Sequence, residues 1–156
     1  MKDISNTMII LRSARANFMK FIDGFDLNSL NHIPENFNNN IIWNFGHVIA
    51  TQQLLTYGLS GLPTPMDQEL IGQYRKGTKP ESLITQSEVD QLVELSESLI
   101  VQFEQDYKKG KFEDYKTYTT SFGYELTSIE DAIEFNNLHE GMHIGTCIDI
   151  RRFLDK

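Results

Sequence analysis

Asn136-Asn137-Leu138-His139-Glu140-Gly141-Met142-His143-Ile144-Gly145 is the stretch from which the rest of the chain is read. It sits inside a longer run whose inward positions are Ile129, Ala132, Ile133, Asn136, His139, His143, Thr146, Ile150 and Leu154, the three-and-four spacing of a helix facing a core. Thr127-Ser128-Ile129-Glu130-Asp131 opens that helix with a cap and an acidic first turn. Two histidines four apart on a helix lie on one face, about one turn from each other, so both imidazoles reach one point. That is a usual arrangement for binding a borderline transition metal. A third ligand is required, and a second apolar helical run supplies it in Ile41-Ile42-Trp43-Asn44-Phe45-Gly46-His47-Val48-Ile49-Ala50. If these two helices pack together, His47, His139 and His143 form a three-histidine site with coordination positions left open.

Two more amphipathic stretches complete the set. From Ser5 to Asp23, Met8, Leu11, Arg15, Phe18 and Ile22 form one stripe, and Gly24 is expected to end the helix in the left-handed conformation. Thr85-Gln86-Ser87-Glu88 has the capping-box spacing, and Val89, Leu92, Leu95, Leu99 and Phe103 follow, up to Lys108-Lys109-Gly110. One of Asn38 to Asn40 is expected to cap the His47 helix, which runs to about Tyr57 and stops in the Gly- and Pro-rich Gly58 to Pro65. No period-two pattern and no internal repeat compete with this reading. The expected fold is all-α, a four-helix bundle with long crossover connections, forming one domain over residues 1–156.

Composition excludes several function classes. The net charge of −8 repels phosphate backbones, and there is no basic stripe to offset it, so no nucleic-acid partner is expected. No apolar run approaches membrane-spanning length, and Met8 to Leu11 is too short for a signal-peptide core. A single cysteine, Cys147, allows no intramolecular disulfide and fits a reducing cytoplasm. It reads as a small buried hydrophobe more readily than as a fourth ligand. His32, before Ile33-Pro34, reads as a turn residue.

The last-helix motif also spells H-E-x-x-H, which in a zincin protease would make Glu140 the general base. Three features oppose that reading. No histidine or glutamate follows His143, Thr146 and Asp149 stand where the extended pattern wants glycine and histidine, and the upstream sheet has no counterpart.

The run Asn38 to Val48, with Thr51-Gln52-Gln53-Leu54-Leu55, Leu59-Ser60-Gly61-Leu62-Pro63, Tyr74 to Pro80 and His139-Glu140-Gly141-Met142-His143-Ile144-Gly145, resembles the DinB-like proteins over nearly the whole chain. The resemblance implies a four-helix bundle, often a homodimer, holding a divalent metal, nickel or zinc, on His47, His139 and His143. It also implies a metal-dependent enzyme of thiol-transferase or hydrolase type, acting on a small molecule with a low-molecular-weight thiol. The alternative is a non-catalytic metal-binding, stress-response or interaction protein. No catalytic acid or base carries over. Asn44 and Asn136, each three residues before a candidate ligand, are candidates to orient the histidines, although ordinary packing with a satisfied amide is the favoured reading of both.

Overall fold

A computed structural model describes residues 2–154. Its helices are α1 (Ser5–Gly24), α2 (Leu27–Asn31), α3 (Ile41–Gln53), α4 (Gln68–Tyr74), α5 (Gln86–Lys108) and α6 (Ile129–Arg151). A π-helical turn, Leu54–Gly58, continues α3, and a short antiparallel pair, β1 (Tyr118–Thr119) and β2 (Glu125–Leu126), precedes α6.

The four long helices form the bundle. α1 packs against α6 and α5, and α3 packs against the same two. α1 and α3 therefore lie across a diagonal, as do α5 and α6, which have no extended contact. The chain must cross the bundle between α1 and α3 and again between α5 and α6. That is why both connections exceed the length of a simple helix turn.

Local chemistry sets the helix starts where the sequence places them. The Asn40 side chain accepts from Trp43 N at 2.8 Å, Thr85 and Glu88 make a reciprocal capping box, and Ser128 caps α6. Gly24 behaves differently from expectation. It is the last residue of α1 without positive φ, and the chain leaves the helix through extended Phe25. The left-handed turns fall instead at Gly61, Gly77, Gly110 and Gly123.

The connections also hold structure that periodicity does not reveal. Asp26 caps α2 by accepting from Ser29 N at 2.8 Å, and Asp67 caps α4 through Glu69 N and Leu70 N. Helices this short are set by their caps and by packing, not by an apolar repeat. The β1–β2 hairpin closes through Thr120 N to Tyr124 O at 2.8 Å, with Gly123 supplying the positive φ of its turn.

The core is in two parts. One apolar cluster gathers Phe18, Ile42, Phe45, Val48, Leu92 and Ile150. The other gathers Met8, Leu11, Phe103, Ala132 and Ile133. Along α1 a buried charge, Arg15, stands between Leu11 and Phe18. Its guanidinium meets Glu140 through Nε to Oε2 at 2.8 Å and Nη2 to Oε1 at 2.8 Å, and it also donates to Gln52 Oε1 at 3.0 Å. Asn136 Nδ2 donates to the same Glu140 Oε1 at 3.0 Å. Arg15 is 3% exposed and Glu140 fully buried, so the paired charges join α1, α3 and α6 at one layer and fix the rotation of α6 about its axis.

Candidate metal centre

That rotation decides what the two α6 histidines face. With Glu140 turned to Arg15, His139 and His143 turn to α3, where His47 meets them. Ring centroids are 5.1 Å apart for His47 and His139, 4.7 Å for His47 and His143, and 4.5 Å for His139 and His143. One ring nitrogen from each lies within 4.8 Å of the other two, so the three could hold a metal ion together.

Each ring is oriented by a different device. His47 Nδ1 lies 2.6 Å from the Tyr74 carbonyl, which can only accept, so the proton is on Nδ1 and the lone pair on Nε2. The Thr51 hydroxyl is 3.4 Å from that Nε2. Trp43 stacks on the His47 ring at 4.7 Å and 10°. Tyr74 can come so close because residue 46 has no side chain. A Cβ there would sit 2.4 Å from the Tyr74 ring. His143 Nδ1 is 2.7 Å from Asn44 Oδ1, and Asn44 is held in turn by its Nδ2 bond to Asn40 O at 2.7 Å. The amide oxygen therefore takes the Nδ1 proton and leaves the His143 Nε2 pair free. His139 Nδ1 is buried and has no hydrogen-bond partner among the described residues.

Burial keeps all three imidazoles neutral. It lowers the pKa of His47, against an opposing contribution from the Tyr74 hydrogen bond, and the charge of Lys76 lowers it further. His139 is pushed down to about 3 by burial first, then by His143, His47 and Arg15. His143 is pushed down to about 4 by burial and then by His47. Neutral imidazoles with directed lone pairs and one orphaned ring nitrogen, crowded at a single point, are a donor set suited to a borderline divalent cation.

The geometry assigns the other polar residues that the sequence singled out, and it removes one candidate, Asn136. Asn136 does not orient a histidine, because its amide is spent on Glu140. Glu140 cannot serve the histidine cluster as a base, because its carboxylate faces the other way and is bound by Arg15. Cys147 is fully buried in the apolar cluster beside Ile150, outside the three-histidine group, and burial pushes its thiol up to about 12. His32 is exposed at the end of α2. The contributions of the Tyr74 carbonyl, Trp43, Thr51 and Lys76 are not apparent from histidine spacing. Gly46, directly before His47, is the sequence signal that something packs closely there.

A pocket of about 250 Å³ opens onto His47 and His139. Leu54 and Leu55 of the π-helical turn, Leu59 and Phe135 give it apolar walls, while Thr51, Thr120 and Ser121 add hydroxyls. Single π-helical turns often occur where a helix must re-aim side chains at a site. Lys76 is the charged residue of the lining, beside the neutral His47 and His139, and no aspartate or glutamate lines it among the described residues.

Comparison with known proteins agrees with this geometry. The family model of the DinB superfamily matches residues 10–147. A search of the curated proteins finds no match.

Proposed function

Starting from the fact that the chain belongs to the DinB superfamily, we propose that it is a metal-dependent enzyme whose divalent ion, nickel or zinc, is held by His47, His139 and His143. One observation carries the reading. Three largely buried, neutral imidazoles converge beside a pocket, and no fourth histidine, cysteine, aspartate or glutamate joins them among the described residues. A structural zinc site is normally closed by a fourth protein ligand, whereas a catalytic one keeps a position for substrate. Cys147 and Glu140, the neighbours on α6 able to close the site, are both committed elsewhere.

When bound, such an ion supplies Lewis-acid polarisation of a substrate oxygen or lowers the pKa of a thiol. The remaining roles belong to the chain. Tyr74 O and Asn44 Oδ1 hold the Nδ1 protons of His47 and His143, presenting both Nε2 pairs. Trp43 fixes the plane of His47 by stacking. Leu54, Leu55, Leu59 and Phe135 give the pocket its apolar walls. The lack of a lining carboxylate favours chemistry that needs no protein general base. A low-molecular-weight thiol acting as nucleophile on an electrophilic small molecule meets that condition, and a hydrolase meets it less well.

The competing reading is a non-catalytic metal-binding or interaction protein, in which the ion only ties α3 to α6. A panel of low-molecular-weight thiols and electrophiles, assayed with metal-free, zinc-loaded and nickel-loaded protein, separates the two. Thiol consumption that requires metal and disappears in His47→Ala supports the enzyme. Equal rates with and without metal, or none with either ion, leave the non-catalytic reading standing.

We also propose a homodimer in the cytoplasm, without nucleic-acid or membrane partners. Ile9 and Ile10 on α1 and Leu138 and Met142 on α6 expose apolar surface, and no helix of the described residues is long and apolar enough to cross a membrane. Sedimentation of a species of twice 18.0 kDa at micromolar concentration is expected, and a monomer contradicts it.

A further inference from the structure

Lys76 is an anomaly in the pocket. It projects from the Arg75-Lys76-Gly77 turn, directly after the Tyr74 whose carbonyl orients His47. It takes part in no ion pair among the described residues. The walls of the same pocket are leucines and a phenylalanine. Lys76 is exposed on its turn, so its ammonium is hydrated yet within the lining of a mostly apolar pocket that holds no carboxylate. A ligand with an apolar body and one anionic group would meet both the walls and that cation.

We infer that the pocket selects a small, mostly apolar molecule bearing a single anionic group, with Lys76 as the residue that sets this preference. This rests on the three-histidine centre being the reacting site, and it adds the substrate class and the residue that reads it. The volume of about 250 Å³ limits the body to a short chain or one ring. Leu54, Leu55, Leu59 and Phe135 receive that body, while Thr51, Thr120 and Ser121 can hydrogen-bond a polar substituent. The anionic group pairs with the Lys76 ammonium near the mouth. Here the interaction gains from the apolar surroundings relative to open water. Dications and polycations are disfavoured by the same charge, and large polar anions by the leucine walls.

The His47 and His139 rings line the pocket while His143 does not. A ligand therefore approaches the centre from the side of the π-helical turn and the β1–β2 hairpin. Tyr118, Thr120 and Ser121 of that hairpin are part of the lining. Lys76 lies on a separate segment, so its substitution leaves the two bundle helices that carry the histidines untouched.

The test uses hexanoate, 1-hexanol and hexylamine, which share a chain and differ in the head group. Binding to the full-length protein is measured calorimetrically, with and without one equivalent of zinc. Wild-type protein is expected to bind hexanoate at least tenfold more tightly than hexanol, with hexylamine weakest. In Lys76→Gln the hexanoate preference over hexanol should fall several-fold while zinc binding is retained and helical circular dichroism stays as in the wild type. An equal preference in Lys76→Gln overturns the inference, because zinc alone then selects the carboxylate. Hexylamine binding as tightly as hexanoate also overturns it, as does the absence of saturable binding by all three. Failure of the metal reading shows differently, as wild-type protein that takes up no zinc. The metal-free arm still reads the Lys76 preference in that case.

Discussion

Gly46→Ala probes the way the fold aims His47. The new Cβ would lie 2.4, 2.5 and 2.7 Å from three atoms of the Tyr74 ring, distances at which real carbon atoms do not coexist. Tyr74 is 5% exposed, so its ring cannot swing into solvent without emptying its own site. Relief must come from displacing the Tyr74 segment, whose carbonyl accepts the His47 Nδ1 proton at 2.6 Å. Overpacking of this kind costs about 1–3 kcal/mol, and weakening one buried hydrogen bond adds about 1 kcal/mol. Alanine returns about 1 kcal/mol through its better helix propensity. The net loss is about 1–3 kcal/mol, which for a chain of this size lowers Tm by roughly 2–12 °C. Zinc affinity should drop further than stability alone explains, by about 10–100-fold, since a histidine without its orienting partner is a poorer ligand. Gly145→Ala on α6 is the control, because nothing lies within 4 Å of its added Cβ. It should raise stability by up to about 1 kcal/mol through helix propensity. Thermal melts and zinc titrations of the two variants decide the matter. If Gly46→Ala melts as high as Gly145→Ala and binds zinc like the wild type, the coupling of Gly46, Tyr74 and His47 is wrong.

Three further outcomes follow from the same geometry. Asn44→Ala removes the oxygen that accepts from His143 Nδ1, and its zinc affinity should fall by about 10–100-fold with the helical circular dichroism retained. Glu140→Gln leaves the Arg15 charge buried without its counter-ion and should cost about 3–5 kcal/mol in denaturant unfolding, while the Arg15→Met/Glu140→Met double variant loses much less than the two single changes together. Metal-free stability should fall with acid. The unfolded histidines take up protons near pH 6.5, whereas folded His139 and His143 resist until about 3 and about 4. The unfolded state therefore binds more protons below pH 6.5, and stability present above that pH is lost going down, by at most about 1.4 kcal/mol per pH unit for each histidine. Urea midpoints between pH 7 and 5 measure this slope, which should be shallower in His139→Ala.

The bundle was legible because each long helix carries its own apolar repeat, and α3, α5 and α6 carry their own caps as well, signals local to the chain. The convergence of His47 with His139 and His143 was legible for a related reason, since four-residue spacing places two rings on one face. Of the orienting partners, Asn44 was legible as a candidate, although it serves His143 and not the His47 three residues after it, while the partner of His47 was not. A backbone carbonyl such as that of Tyr74 has no residue-type signature, and its place depends on how the segment after Pro65 folds back over α3. Glu140 shows how a motif can mislead. In H-E-x-x-H its position suggests a base, but one residue along a helix is about 100° around it. That turn carries the carboxylate to Arg15. The warning lay in the α1 stripe itself, where Arg15 stands among Met8, Leu11, Phe18 and Ile22. A cation on a buried face needs a buried anion, and Glu140 on the last helix supplies it.

His47, His139 and His143 are proposed to hold one divalent ion together at an otherwise open site. Calorimetric titration of metal-free protein with zinc, for the wild type and for His47→Ala, His139→Ala and His143→Ala, tests this. One ion per chain is expected in the wild type, with loss of that binding in each variant and near-native helical circular dichroism in all three. Undiminished zinc binding in any one of the variants, or a wild type that binds no zinc and no nickel, contradicts it.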